Sequence, residues 1–427
     1  MTESATLQQA PQPHTAPAGS RVLREILRGS VVTTILALVA AFVVGGILIA
    51  VTDEDVAASA GYFFARPGDT LAAIWSAVAG GYEALFRGAI FNTRADDFLT
   101  GIRSLTNSLG AAAPLIAAGL GVAVAFRVGL FNIGAQGQIV FGAAFTALLT
   151  FRLDLPMALQ LPITLIGGII GGAIWAGIAG VLKARTGAHE VILTIMLNYI
   201  GVLFVEWMVS TQGVLQKAGT TQPISDPTPA GAVFPELFGP TFPNLDLGFL
   251  LVVLATVFVW WLLEHSGLGL RMRAVGENPH AAKAAGISVP RIYVYAMLFA
   301  GGLAGLAGMN QIQGAVTSGF NQHIDAGFGF DAITVALLGR SKPLGTFFAG
   351  LLFGALRAGG FAMQSRTGTP IDIVLVVQSL VVLFIAAPLR RSGAYTIPDF
   401  MEARLESRSA RRVTSAVCLL IGWLYIV

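Results

Sequence analysis

Cysteine is almost missing from this chain. Cys418 stands alone among 427 residues, so no intramolecular disulfide framework can hold the fold. Charge is scarce as well: Asp, Glu, Lys and Arg make up 11%, against about a quarter in soluble domains. Lysine is rarer still, and none of Lys183, Lys217, Lys283 or Lys342 stands in the G-x-x-x-x-G-K-S/T setting that cradles phosphates. The chain therefore has no nucleotide-binding loop and is not read as an enzyme; if ATP drives it, another chain binds the ATP. The His, Cys and Glu residues form no cluster with metal-ligand spacing, and no nucleophile–base pair is evident. The net charge of +3 does not point to nucleic acid, because the basic residues sit at the ends of apolar runs.

What is present is apolar surface. The composition is 55% hydrophobic with 51 glycines. Uncharged runs recur at 31–51, 104–126, 128–151, 155–182, 191–205, 247–263, 292–324 and 373–389. A span needs about 20 residues at roughly 1.5 Å each. The expected fold class is all-α: a polytopic integral membrane protein with about 8–10 transmembrane helices, some of them broken or re-entrant. Residues 1–24, rich in Pro, Ala, Gln and Ser, read as a disordered tail. A signal peptide with Ala58-Ser59-Ala60 as its cleavage site is the competing reading of 31–51. That run exceeds an h-region of about 7–15 residues, which favours a retained first span.

Charge gives an orientation. Arg21, Arg24, Arg28, Arg127, Lys183, Arg185, the cluster at 271–291, Arg340, Lys342, Arg390 and Arg391 fall on one side of the threading. Asp53, Asp69, Asp97, Asp226, Glu236 and Asp246 fall on the other. The positive-inside rule puts the first set, and the N-terminus, in the cytoplasm. Segments 52–102 and 211–246 are then extracytoplasmic, and the apolar stretch 71–91 is expected to be an interfacial helix. Read as a span instead, it would invert everything after it.

Two elements break the helical pattern. LFNIGAQGQ at 130–138 and DAITVALLGRSKPLGTFFAG at 331–350 are punctuated by Gly and Pro. Broken helices at membrane depth occur where backbone lines a cavity or is buried in protein. Polar residues gather near such places: Asn132, Gln136 and Gln138 in the first, Asn198 and Glu206 in the span that follows His189–Glu190, and Asn310, Gln311 and Gln313 at the end of 292–313. A single amide in a span usually bonds another helix. Jointly they read as a lining with little fixed charge, suited to a neutral, hydroxyl-rich solute. Gly167, Gly168, Gly171, Gly172 and the run GGLAGLAG at 301–308 read as helix-packing positions. His189–Glu190 reads as a snorkelling pair rather than a proton relay.

The polar insert RMRAVGENPHAAKAAGI at 271–287 joins two long apolar runs and cannot lie in hydrocarbon. HAAKAAG after Pro279 is a good helix former that Gly286 closes. The segment reads either as an ordinary cytoplasmic loop or as a short helix on which a soluble partner pushes.

Four segments carry a resemblance: GVAVAFRVGLFNIGAQGQIVFGA (121–143), HEVILTIMLNYIG (189–201), RAVGENPHAAKAAGIS (273–288) and FDAITVALLGRSKPLG (330–345). Together they resemble permease subunits of bacterial ABC importers, of the branched-chain amino acid, ribose and simple-sugar type. The nucleoside-importer branch is the nearest. The resemblance runs over about 25–391 and implies a bacterial plasma-membrane permease with no cofactor of its own. It also implies a separate ABC ATPase subunit that uses ATP and Mg, a second, non-identical permease subunit, an extracytoplasmic solute-binding protein and membrane lipid as partners. In that family the segment matching 273–288 contacts the ATPase, which assigns coupling to Gly276, Asn278, Ala281, Ala282, Ala285 and Gly286. Asn132, Gln136, Gln138 and Asn198 are the expected substrate-path residues. Many relatives carry Glu where this chain has Gln136, which removes a charge from the broken element. Nucleoside is the expected solute, with ribose, a simple sugar or a branched-chain amino acid as alternatives.

Residues 392–427 do not fit that family. GAYTIPDFMEARLESRSARRVTSAVCLLIGWLYIV at 393–427 resembles a loop and partial helix of sodium:solute symporters. It reads as a fusion or gene-model appendage, the competing reading being a lineage-specific extra helix. The tail alone would favour an ion-coupled secondary transporter. That class needs carboxylates paired across helices, and Glu206 is the only embedded one the sequence shows. A nonselective channel would leave the 271–287 segment without a purpose.

Overall fold

A computed structural model describes residues 30–239, 242 and 244–389. The N-terminal arginines, Arg390, Arg391 and the 393–427 tail lie outside them. Residues 44–382 form one compact unit, while 30–43 and 383–389 belong to another. The helices in order are α1 (Ser30–Thr52), α2 (Glu54–Ala60), α3 (Pro67–Ala89), α4 (Phe98–Arg127), α5 (Ala135–Arg152), α6 (Met157–Thr186) and α7 (Glu190–Ser210). They continue with α8 (Leu247–His265), α9 (Gly267–Glu277), α10 (Pro279–Ala284), α11 (Val289–Asn310), α12 (Phe328–Leu338), α13 (Pro343–Thr367) and α14 (Asp372–Leu389). Among the described residues there are isolated β-bridges but no strand, and six helices are long and apolar enough to cross a membrane. This is an all-α, polytopic membrane protein.

Helix α4 is the centre of the unit. The Asp97 carboxylate caps it by accepting the Thr100 N–H at 3.3 Å, satisfying one of the donors that a helix start leaves over. From Ala112 to Ala125 every residue of α4 is buried, and nearly all are Ala, Gly, Val, Leu or Ile. Helices α11, α12 and α13 pack around it.

A second contact, between α6 and α11, is built from glycines. A methyl group at Gly172 would strike the Gly301 carbonyl, and one at Gly305 the Gly168 carbonyl. Helix α5 joins at the same place, where Gly142 faces Gly305 and Gly308 faces the Ile139 carbonyl. Lipid tails are as apolar as leucine, so helices associate through such backbone approach and dispersion rather than through a hydrophobic drive. The packing expected of 167–172 and 301–308 is what the fold uses.

The chain departs from its hydropathy pattern in three places. The run 292–324 ends as an α-helix at Asn310, makes one π-turn (Gln311–Ala315) and then leaves helical geometry. The reason is a set of buried amide bonds. Gln313 Nε2 donates to Thr164 Oγ1 at 3.0 Å and to the Ala232 carbonyl at 2.8 Å, tying the helix end to the 211–246 segment. Helix α13 was not among the uncharged windows, because Arg357 interrupts it. Helix α3 covers all but the last two residues of the 71–91 stretch and is not among the six candidate spans. Leu71 and Trp75 are exposed, while its far end packs on α13 at Gly88 and takes hydrogen bonds from Ser104 and Ser108 of α4 to its last carbonyls.

The two ends of the unit differ in charge. Arg127 at the close of α4 meets Ser341, between Arg340 and Lys342, and its carbonyl meets Gly276 beside Arg273. At the other end the backbones of Glu236 and Asp246 pair in an isolated antiparallel β-bridge, and Asn244 bonds Asn107.

Candidate transport path and coupling surface

At the basic end, α8 passes into a two-helix elbow. Ser266 Oγ caps α9 through the Gly269 N–H at 2.9 Å, and Met272 and Val275 bury one face of α9 in the core. Asn278 then caps α10, its Oδ1 accepting the Ala281 N–H at 3.0 Å, and Pro279 supplies the fixed φ that suits a first helical position. Gly286, at φ +81°, ends the element in the left-handed region that glycine enters without strain. The N–H groups of Gly286 and Ile287 return to the carbonyls of Lys283 and Ala282, each at 3.0 Å. Ala282 alone of α10 is buried; Asn278, Ala281, Ala285 and Gly286 are exposed. Gly276 packs so closely on the Arg127 carbonyl that a methyl group would collide with it. The six residues assigned to coupling thus fall into two that seat the elbow, Gly276 and Ala282, and four that present or terminate it.

The amides sort differently. Asn132 and Gln138 form a reciprocal pair, Nδ2 to Oε1 at 3.1 Å and Nε2 to Oδ1 at 3.0 Å. Asn132 Oδ1 also accepts the Gly134 N–H at 3.0 Å. From α7, Asn198 reaches the same break: its Oδ1 accepts the Gly137 N–H at 2.9 Å and its Nδ2 donates to the Ile133 carbonyl at 3.0 Å. Asn132 and Asn198 supply the partners that the interrupted backbone between α4 and α5 needs inside the protein, and Gln138 holds Asn132 in place. Gln136 stands apart. It is half-buried against Gly329 at the start of α12, and its side chain lies beside the Asp325 carboxylate. The His189–Glu190 pair resolves into an ion pair between Glu190 and Lys183 at 2.8 Å with His189 exposed.

The structure also brings together charges that the sequence reading missed. Arg357 of α13 points its guanidinium at α12: Nη1 lies 3.4 Å from Asp331 Oδ2, and Nη2 donates to the Ala326 carbonyl at 2.7 Å. The same group lies over the Phe328 ring, 4.2 Å from its centroid, and 6.0 Å from that of Phe361. Glu206 is therefore not the only embedded carboxylate. The signal was legible, since charges inside a spanning stretch mark a site by default and are expected to be paired. Asp331 and Arg357 are 26 positions apart, however, and neither names the other.

A cavity of about 240 Å³ opens beside this pair. Asn107, Asp246 and Asn310 line it together with Phe328, Arg357 and Phe361. Asp246 caps α8 through the Phe249 N–H at 3.2 Å. Burial holds its carboxyl above the ordinary carboxylate range, although the Phe249 and Gly248 amides act against the shift. The arrangement offers a carboxylate and amides together with the exposed Phe361 ring beside a guanidinium.

Comparison with known proteins accounts for the architecture. Residues 104–386 match the family described as "Branched-chain amino acid transport system / permease component". The chain is 36% identical over 312 residues to the guanosine ABC transporter permease protein NupP of Bacillus subtilis, covering 73% of this chain and 86% of that protein. It is 36% identical over 314 residues to the nucleoside ABC transporter permease protein NupB of Lactococcus lactis, covering 72% and 83%. With the glucose ABC transporter permease protein TsgB13 of Haloferax volcanii it shares 33% identity over 295 residues, covering 67% and 77%. The chain belongs to this family of ABC transporter permease components.

Proposed function

We propose that the chain forms the membrane passage for a nucleoside in an ATP-driven importer of the bacterial plasma membrane. The observation that carries the mechanism is the α9–α10 elbow: an exposed short helix at the basic end, seated on α4 through Gly276 and continuous with the spans α8 and α11. A separate ATPase subunit, using ATP and Mg, engages it, and the positive-inside rule makes that end cytoplasmic, together with the N-terminus. A second, non-identical permease subunit completes the passage, and a solute-binding protein delivers solute to the acidic end. The break at 130–138 borders the route, with Gln136 facing the solute, Asn132 and Asn198 fixing the backbone around it and Gln138 holding Asn132.

Guanosine and nucleoside permeases among the relatives support the nucleoside reading. The glucose permease supports a simple sugar as the second reading. Competition separates them: uptake of labelled guanosine by the complete complex is blocked by excess unlabelled nucleoside and untouched by excess glucose or ribose. The reverse pattern would hand the passage to a sugar. We further propose that 25–391 is the working permease and that 392–427 is an appendage without a transport role.

A further inference from the structure

The cavity beside Arg357 is lined by two chemically different sets of side chains, and its position follows from five elements rather than one. Helix α4 contributes Asn107, the start of α8 Asp246, the end of α11 Asn310, α12 Phe328, and α13 both Arg357 and Phe361. Asn310 is buried, with Nδ2 on the Leu306 carbonyl at 3.1 Å, so its side chain is fixed where it lines the space. The Asp246 carboxylate is anchored by the cap bond of Oδ1 to Phe249. Neither group has to be ordered when a solute enters, which lowers the entropic cost of binding. A carboxylate and amide oxygens accept hydroxyl protons, and amide N–H groups give hydrogen bonds to hydroxyl oxygens. The other lining groups are aromatic and cationic: the Arg357 guanidinium covers the buried Phe328 ring at 4.2 Å, which leaves the exposed ring of Phe361 as the open aromatic face. Flat aromatic faces and an arginine plane are the surfaces on which a heterocyclic base stacks.

Charge narrows the ligand class. Arg357 is already engaged by Asp331 and by the Ala326 carbonyl, so the described residues lining the cavity offer no unshared cation for the carboxylate of an amino acid. A volume of about 240 Å³ admits one small molecule.

We propose that this cavity is a station for a single nucleoside, with the ribose hydroxyls on Asp246 and Asn310 and the base on the exposed ring of Phe361 beside the Arg357 guanidinium. This rests on the nucleoside reading above and assigns that reading a place. The bond from Arg357 to the Ala326 carbonyl also ties the station to a strained turn. Ala326 has φ +46°, a conformation a non-glycine residue rarely adopts, and Gly327 follows at φ +83°. A base that settles on Phe361 lies beside the group that holds this turn.

The test uses the complete complex of both permeases, ATPase and binding protein in proteoliposomes. Phe361→Leu keeps an apolar side chain of similar volume and removes the stacking face. The guanosine concentration that half-saturates uptake should rise about tenfold, the scale of one lost base–aromatic contact. Unchanged half-saturation in an assembled complex overturns the station and leaves the nucleoside reading standing. If this variant assembles poorly, Asn107→Cys in a Cys418→Ser background decides instead, because Asn107 is exposed at the mouth of the cavity. Guanosine should slow thiol labelling at position 107; equal labelling with and without guanosine overturns the proposal. If the unaltered complex fails to take up guanosine at all, the nucleoside reading falls and the proposal with it.

Discussion

Arg127 Nε donates to the carbonyl of Ser341 at 2.9 Å, fastening the last residue of α4 to the turn that closes α12. That turn is strained: Arg340 and Ser341 both lie in the left-handed region, at φ +55° and +52°. Each such residue costs about 1–2 kcal/mol, so the contacts around it must hold it. The carbonyl of the same Arg127 is covered by Gly276. The α9–α10 elbow and the half-helix α12 are therefore both attached to one residue.

Removing that attachment should separate ATP hydrolysis from transport. Arg127→Ala deletes a bond to a charged donor worth about 1.5–3 kcal/mol and releases the turn. Uptake per ATP hydrolysed is expected to fall several-fold while the ATPase remains bound. Hydrolysis and uptake are measured on the same vesicles; a ratio equal to that of the unaltered protein would show that α12 moves independently of Arg127.

The elbow itself makes a sharper prediction. Ala282 is the one buried residue of α10, and Gly286 needs its positive φ to end the helix. Ala282→Glu forces a charge into the seat, and Gly286→Glu puts a side chain where the backbone is left-handed. Both variants should insert normally and lose uptake. Wild-type uptake at wild-type abundance in either one would remove the coupling role from this segment.

The amides should divide into two classes. Asn198→Ala strips partners from the buried Gly137 N–H, at about 1–3 kcal/mol for a group left unsatisfied, and from the part-buried Ile133 carbonyl. Its signature is a lower melting temperature and lower abundance. Gln136→Ala leaves that backbone clamp alone and should change uptake kinetics with abundance preserved. Thermal melts and saturation curves for the two variants check this; kinetics altered in Asn198→Ala alone would reverse the assignment.

Much of this was legible in the sequence. The elbow could be found because charged residues cannot lie in hydrocarbon, and the break at 130–138 because glycine and amides interrupt an apolar run. The glycines of α6 and α11 announced a packing surface by their spacing. What polarity could not supply was partnership. It grouped Asn132, Gln136, Gln138 and Asn198 as one lining, whereas three of them bond one another or the broken backbone and the fourth reaches Asp325. Helix α13 was hidden for a related reason: Arg357 spoils its apolar window, and the carboxylate that compensates it lies on another helix. Long-range pairing of buried groups is a property of the fold, and a one-dimensional pattern does not contain it.

Stopping the chain after Arg391 should leave uptake and assembly unchanged. The family match ends at residue 386, before the symporter-like stretch begins. Co-purification of the ATPase with full-length and shortened chains, followed by uptake, is the check. Failure of the shortened chain to assemble would make the tail a working part.

The most direct test of the central claim is the energy source of uptake. Proteoliposomes containing the complete complex, loaded with ATP and Mg on the side of the elbow, should accumulate labelled guanosine only when the binding protein is present outside. Accumulation should persist when sodium and proton gradients are collapsed, and should vanish with Ala282→Glu. Uptake that runs without ATP on an imposed ion gradient would contradict the account.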